Sequence, residues 1–263
     1  MTSVYFLFLL HASLGLLAVL FLVPDRAGAR FFKLCAAIAA AMTTSALWLA
    51  WRRFGLAPAA AAPGGPDYPA VFAGAAAFLA LTVLYNRARH FDWRSATRPL
   101  LGAAVAAGLG ATLGAASGTL EAAADLTSAL LIGAAAGAMV LGHFYLVVLD
   151  LPITALRRLT VLLVVALGLR TLAVGAALGG PVAAGYEEAR LVATGLWSAD
   201  GIFVWMRLLF GLAGPLSLVW FIWKTVEIRS TQSATGILYV QLFLVLAGEL
   251  LAKYLRVAAG FPL

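Results

Sequence analysis

The sequence predicts an all-α, polytopic integral membrane protein with about eight transmembrane helices. Of its 263 residues, 63% are hydrophobic and only 11% are charged, whereas a soluble domain carries about 25% charged residues. The apolar residues form long runs, each close to the ~20 residues that a helix needs to cross a bilayer. Alternation with a period of two, which would indicate transmembrane strands, is absent.

Eight hydrophobic segments predict the helices. The first follows no positive charge and is longer than the apolar core of a signal peptide, so we expect a retained helix. The later segments are separated by charged residues or by Pro and Gly, and the seventh ends at Trp220 and Trp223, next to Lys224, as an interfacial anchor does. The predicted segments cover residues 4–23, 31–51, 69–88, 100–119, 126–149, 159–180, 201–223 and 234–256.

One linker-like stretch bears on the domain organisation. Residues 55–69, "GLAPAAAAPGGPDYP", contain too much Pro and Gly for a continuous helix. This loop would divide the chain into 1–54 and 69–263. A loop of this length also occurs within one bundle, and we therefore expect a single transmembrane domain over 1–263.

The basic residues predict the orientation. Alternate loops carry eleven basic residues on one side and five on the other, and the basic side of a membrane protein faces the cytoplasm. Both termini are thus expected outside, in a bacterial cytoplasmic (inner) membrane. The net charge of +7 is explained by topology and does not predict a nucleic-acid partner. The eleven are Arg26, Arg30, Lys33, Arg87, Arg89, Arg94, Arg98, Arg157, Arg158, Lys224 and Arg229.

Small residues predict close helix packing in two segments. Gly110, Gly114 and Gly118 recur at four-residue spacing in the fourth segment, and Gly133 and Gly137 do so in the fifth. Glycines at this spacing let helix backbones approach closely in a lipid environment.

Four ionisable residues within the spans are the candidate ligand, quinone or proton-path residues: His11, Arg170, Arg207 and Glu249. At a rise of ~1.5 Å per residue, His11, Arg207 and Glu249 each lie about 10 Å from the outer end of their helices, and Arg170 lies about 15 Å deep. Glu249 is expected to pair with Arg207, or else with Arg170, beneath a polar pocket closed by His11. A static ion pair between helices is the alternative.

His143 is a second-tier candidate, about 10 Å from the inner end of its helix. It therefore differs from His11 in depth, so we expect no haem b held by these two histidines. A haem that uses Met139 or Met206 stays open, and otherwise His143 is expected to be a hydrogen-bonded interior histidine. Cys35 is the single cysteine, and no metal site is predicted.

The segment "LVLAGELLAKYL" in the last helix resembles the final-helix pattern of the membrane-anchor subunit of dimethyl sulfoxide reductases, near the wider polysulfide-reductase-type anchors. The resemblance implies a haem-free, quinol-binding anchor that passes electrons to an iron–sulfur subunit. Residues 247–253 match the pattern, so Glu249 is carried over with its neighbours. The second and third helices contain neither His nor Glu, so the polar quinol-site residues of that family have no counterpart there.

The sequence thus favours a membrane-anchor, quinone-interacting subunit of a multisubunit bacterial respiratory complex, with iron–sulfur or cytochrome subunits and lipids as partners. Soluble catalytic motifs are absent, which indicates no stand-alone enzyme. Two alternatives remain. One is a small-solute or ion transporter with a buried charge site, and the other is a ligand-free structural or assembly subunit.

Overall fold

A computed structural model describes residues 2–54, 68–148, 151–184, 196–197 and 201–259. Within these ranges the chain is helical and contains no strand. The proposed division of the chain at residues 55–69 falls largely on residues outside the described part, and it stays a prediction.

The helices are close to the predicted segments but longer at most of their ends, because helices continue through charged residues where an apolar run stops. The long apolar segment 201–223 is divided into two α-helices by a π-helix, Leu209–Ala213. The described α-helices are α1 (Thr2–Ala18), α2 (Ala29–Phe54), α3 (Tyr68–His90), α4 (Arg94–Gly114), α5 (Thr119–Val147), α6 (Thr154–Ala184), α7 (Gly201–Leu208), α8 (Gly214–Glu227) and α9 (Thr231–Ala259).

Seven helical spans in the described part are long and apolar enough to cross a membrane. They include every predicted segment except the fourth. Helix α4 is rich in Ala and Gly and carries Arg94 and Arg98 at its start, which lowers its mean hydropathy. The all-α, multi-pass architecture is therefore confirmed, whereas the count of eight and the orientation in the membrane stay predictions.

The ends of the bundle are defined by side chains from several helices. Ser3 of α1 and Val257 of α9 line one cavity, so both described ends of the chain lie together, and we call this the terminal end. At the opposite end, Arg89 pairs with Asp25 at 3.0 Å and the Arg157 guanidinium lies 5.6 Å from the Trp223 ring. We call this the basic end.

Glycine contacts bring α1 and α5 together in the core. A Cβ at Gly15 would collide with the carbonyl of Ala129, and one at Gly133 would collide with the backbone of Gly15. The predicted close packing at Gly133 is thus confirmed. This contact fixes α1 beside α5 along a line that also holds His11, one turn before Gly15.

The predicted close packing of α4 through the face of Gly110, Gly114 and Gly118 is wrong, because another face of α4 makes the close approach. A Cβ at Gly110 would meet no atom within 4 Å, and the same is true of Gly118 just beyond the helix. The close approach occurs instead at Gly108, where a Cβ would lie 2.9 Å from Leu14 and 3.0 Å from Phe78. Gly114 makes only an ordinary contact, 3.4 Å from Val71. Spacing alone does not distinguish a packed glycine face from a face that points away from the neighbours.

Candidate functional site

Glu249 on α9 lies at the centre of a fully buried ion-pair cluster. Arg170 of α6 donates two hydrogen bonds to its carboxylate, from Nε to Oε1 at 2.9 Å and from Nη2 to Oε2 at 3.0 Å. Arg207 of α7 donates from Nη2 to Oε1 at 2.7 Å. All three side chains have no exposed surface. Such a bidentate, charge-assisted geometry is the strongest form of this pairing.

The predicted contact between Glu249 and Arg207 is confirmed, but Arg170, the second choice from the sequence, makes the more extensive contact. The helical rise places Arg170 about 15 Å deep, just below the other charges. Its long side chain spans that offset and reaches Glu249. The same guanidinium also donates from Nη1 to the carbonyl of Ala124 on α5 at 3.1 Å.

A glycine pair lets the π-helix that follows α7 approach α9 closely, beside the contact of Arg207 with Glu249. Gly211 and Gly248 face each other, and a Cβ on either would collide with the backbone of the other. Gly211 lies in the π-helix, which ends just before Pro215. Proline has no N–H to donate and its ring crowds the preceding turn, and a widened π-turn accommodates it.

A second cluster surrounds Asp125 of α5. Lys253 donates to Oδ1 at 2.9 Å, and Arg256 donates to Oδ1 at 2.7 Å and to Oδ2 at 2.6 Å. Arg256 also donates to Glu121 at 2.9 Å. Asp125 and Lys253 are buried, whereas the side chains of Arg256 and Glu121 are 12% and 27% exposed. The ionic contacts therefore run from the core to the surface at the terminal end.

These four residues are not among the site residues predicted from the sequence. Hydropathy assigns them to the loops and ends of the outer side, since the apolar run of the fifth segment begins only at residue 126. The available signal is helical spacing: Glu249, Lys253 and Arg256 recur at i, i+4 and i+7 and so share one face of α9.

His11 reaches the expected level but faces a different partner. Its Nδ1 lies 3.8 Å from Oδ1 of Asp125, too far for a hydrogen bond. The side chain is fully buried, and neither ring nitrogen has a hydrogen-bond partner in the described part of the protein. Three further buried atoms also have no hydrogen-bond partner there: Nε and Nη1 of Arg207 and the hydroxyl oxygen of Ser128. Buried polar groups without protein partners are the usual positions of internal water.

The pocket predicted above Glu249 is displaced towards the terminal end. Glu249, Arg207 and His11 have no exposed surface and cannot line an open pocket. A cavity of about 300 Å³ instead opens where Arg256 and Glu121 reach the surface. Most of its wall is apolar or aromatic, and its lining includes Ser3, Phe6, Leu7, Tyr68, Val71, Phe72 and Ser117.

His143 is exposed on α5, not interior as predicted, although it is hydrogen-bonded: its Nδ1 lies 3.2 Å from the hydroxyl of Tyr239. His11 contacts Asp125 near the other end of α5. Roughly eighteen residues, or about 27 Å at the rise of an α-helix, separate Asp125 from His143. This separation supports the expectation that His11 and His143 do not share a haem.

Comparison of the chain with protein-family models, with curated proteins and with solved structures found no match. The resemblance of the last helix to the reductase anchors therefore stays a prediction.

Proposed function

We propose that this protein is a quinol-binding membrane-anchor subunit of a multisubunit bacterial respiratory electron-transfer complex, with both termini outside the cytoplasmic membrane. The observation that carries the proposal is the cavity at the terminal end. It combines an apolar wall with one carboxylate, Glu121, and one guanidinium, Arg256. Ligand sites are mostly apolar cavities with a few oriented polar groups, and about 300 Å³ is the lower end of their range.

The wall of the cavity suits a flat aromatic ring. Phe6 and Phe72 lie with ring centroids 5.4 Å apart at an interplanar angle of 55°, so they form two angled apolar faces. Rings in such tilted arrangements interact favourably beyond the area that they bury. A quinol ring against them would leave its isoprenoid tail to the bilayer.

The polar groups suit the hydroxyls of a quinol. Oxidation of a quinol to a quinone releases two electrons and two protons, and a positioned carboxylate is a suitable acceptor for one of these protons. Glu121 holds this position, because its Oε2 accepts from the Ser117 N–H at 2.8 Å and from Arg256 at 2.9 Å. Arg256 is in turn fixed by Asp125, which connects the cavity to the buried charges.

The electrons require a partner. Each quinol must pass two electrons to a redox centre in a neighbouring iron–sulfur or cytochrome subunit. One proton passes to Glu121 and then to water at the exposed mouth of the cavity, and the second proton passes to water at the same mouth. The buried clusters at Glu249 and Asp125 then serve to hold α5, α6, α7 and α9 in place around the site.

The test is native purification followed by quinol oxidation. We expect iron–sulfur or cytochrome subunits to co-purify, and we expect Glu121→Gln to slow oxidation of a short-chain quinol by about 10²-fold, the lower range for loss of a general base. Glu227→Gln is the matched control. Glu227 is an exposed, ion-paired glutamate at the basic end, 3.0 Å from Lys224, so its loss should leave the rate unchanged.

Two outcomes would contradict the proposal and favour the alternatives. Solute or ion flux through the protein alone in liposomes, with no redox subunit in the native preparation, would favour a transporter. A native complex that oxidises quinol equally well with Glu121→Gln, or that binds no quinol, would favour a structural or assembly subunit.

A further inference from the structure

An open apolar groove runs along the outside of the bundle at the basic end, between α6 and Leu22, which ends the 3-10 helix Val19–Leu22 that follows α1. Its volume is about 520 Å³. Leu22, Val161, Leu162 and Val165 form its apolar floor, and Arg157 and Arg158 stand at its head. On the outer surface of a membrane protein such a groove is open to lipid, and basic residues at one end of it favour anionic headgroups.

The groove is amphipathic along a single helix. Val161, Leu162 and Val165 follow Arg158 at three, four and seven residues, so they lie on the same face of α6 one and two turns below its guanidinium. Val161 and Val165 are 44% and 48% exposed, and so are available to an acyl chain. A cationic side chain followed by an apolar stripe is complementary to a phospholipid, in which an anionic phosphate is followed by acyl chains.

The positive charge at the head of the groove is not neutralised by the described part of the protein. Among the described residues, Arg158 has no ion pair within 4.0 Å, and Arg157 lies over the Trp223 ring at 5.6 Å. Glu227 is near enough to interact electrostatically with Arg157. However, Lys224 at 3.0 Å and the Trp223 indole N–H at 2.9 Å occupy its carboxylate.

A second groove at the same end has the same order of groups. It lies between α2 and α3 and has a volume of about 470 Å³. Lys33, Arg87 and His90 surround its head, and Leu34 and Val83 form part of its apolar wall. The repetition indicates that cationic heads above apolar grooves are a property of this end of the bundle.

We propose that the groove on α6 binds an anionic phospholipid, with its phosphate between Arg157 and Arg158 and one acyl chain along Val161 and Val165. Charge complementarity favours an anionic headgroup, since basic residues beside a membrane attract anionic lipids. The exposed valines require a hydrocarbon chain as well, which distinguishes a phospholipid from free phosphate. Bound lipid would also fix the turn after α1 against α6.

Native mass spectrometry of the purified chain in detergent tests this proposal. Phosphatidylglycerol and phosphatidylcholine with identical acyl chains are titrated separately, and glycerol 3-phosphate is added as the free headgroup. We expect phosphatidylglycerol to bind more tightly than phosphatidylcholine and to resist competition by glycerol 3-phosphate. Because the second groove stays intact, Arg157→Gln with Arg158→Gln should weaken only one of the bound phosphatidylglycerols, by roughly thirtyfold, since one basic residue near the surface contributes about fivefold.

Arg52→Gln is the matched control. Arg52 is also exposed and lies over a tryptophan, Trp48, at 5.3 Å, but near the terminal end of α2. The proposal fails if the double substitution leaves phosphatidylglycerol binding unchanged, or if Arg52→Gln reduces it equally. It also fails if the two lipids bind equally to the unsubstituted protein, or if glycerol 3-phosphate displaces phosphatidylglycerol. Unchanged thermal unfolding of the double variant excludes misfolding as the cause of a loss.

Discussion

Replacement of Glu249 by glutamine tests the energetics of the buried charges. Arg170, Arg207 and Lys253 oppose Glu249 and Asp125 in the buried part of the network, and all five side chains are at most 3% exposed. Counted over the described residues, the buried cluster thus carries a net charge of +1, and Glu249→Gln raises it to +2. Arg207→Met lowers it to zero and leaves the two-bond contact of Arg170 with Glu249 intact.

The two substitutions should therefore differ greatly in cost. Removing one partner of a buried pair costs about 3–5 kcal/mol when a charge is left uncompensated. Glu249→Gln should cost about 3 kcal/mol or more, because it leaves two arginines without their carboxylate. Arg207→Met should cost less than the about 3 kcal/mol of a fully broken pair, because Glu249 keeps its two bonds to Arg170 and is not left without a cation. The double variant Glu249→Gln with Arg207→Met returns the net charge to +1 and should recover part of the loss.

Thermal unfolding in detergent, followed by tryptophan fluorescence, measures this order. On the scale of about 2–4 °C per kcal/mol for a chain of this size, Glu249→Gln should lower Tm by roughly 6–12 °C. Glu227→Gln at the basic end is the control, with a shift below about 2 °C, because exposed ion pairs contribute little.

Additivity would refute the reasoning. If the double variant loses the sum of the two single losses, Glu249 and Arg207 are not coupled. The charge argument is likewise wrong if Arg207→Met destabilises the protein as strongly as Glu249→Gln.

Two further predictions follow from packing and depth. Gly15→Ala should lower the free energy of unfolding by about 1–3 kcal/mol, because its Cβ would collide with the Ala129 carbonyl, whereas Gly110→Ala should be neutral or slightly stabilising, because its Cβ meets no atom within 4 Å. Thermal unfolding of the two variants checks this, and equal losses would contradict it. The purified chain should show no b-type band from a haem held by His11 and His143 in a reduced-minus-oxidised spectrum, since His11 of α1 lies beside Asp125, which is about 27 Å along α5 from His143. A band that both His11→Ala and His143→Ala abolish would show the opposite.

The membrane helices and the charge pair at Glu249 can be predicted from the sequence because each rests on a regular quantity. A helix must contain about 20 apolar residues to cross the bilayer, so the length of an apolar run identifies a membrane helix. The constant rise per residue then converts a residue's distance from the helix end, in residues, into its depth in the membrane. The amino-acid order alone therefore places Glu249 and Arg207 at one level. Depth says nothing about the direction in which a side chain points, which explains why His143 is expected inside the bundle but lies on its surface.

The cluster at Asp125 escapes prediction because hydropathy defines an apolar run and not a helix. Helix α5 begins at Thr119, several residues before the apolar run of the fifth segment, and Asp125 lies inside the helix. Once an aspartate is paired with Lys253 and Arg256, the helix tolerates it within the membrane. The cavity beside Glu121 depends on contacts between α1, α3, α5 and α9, which no local pattern in the sequence reports.

The partners of α9 have a consequence for biogenesis. Glu249 pairs with α6 and α7, and Lys253 and Arg256 pair with α5, so every buried ionic partner of this helix in the described part of the chain is synthesised earlier. Until α9 enters the membrane, the Glu249 carboxylate is missing from Arg170 and Arg207, and the cations of Lys253 and Arg256 are missing from Asp125. A nascent chain stalled before residue 231 would therefore lack the carboxylate that pairs with Arg207 and two cations that pair with Asp125, and unpaired charges are costly within a membrane. Insertion of α9 supplies these partners, so we expect stable packing of α5, α6 and α7 to depend on it.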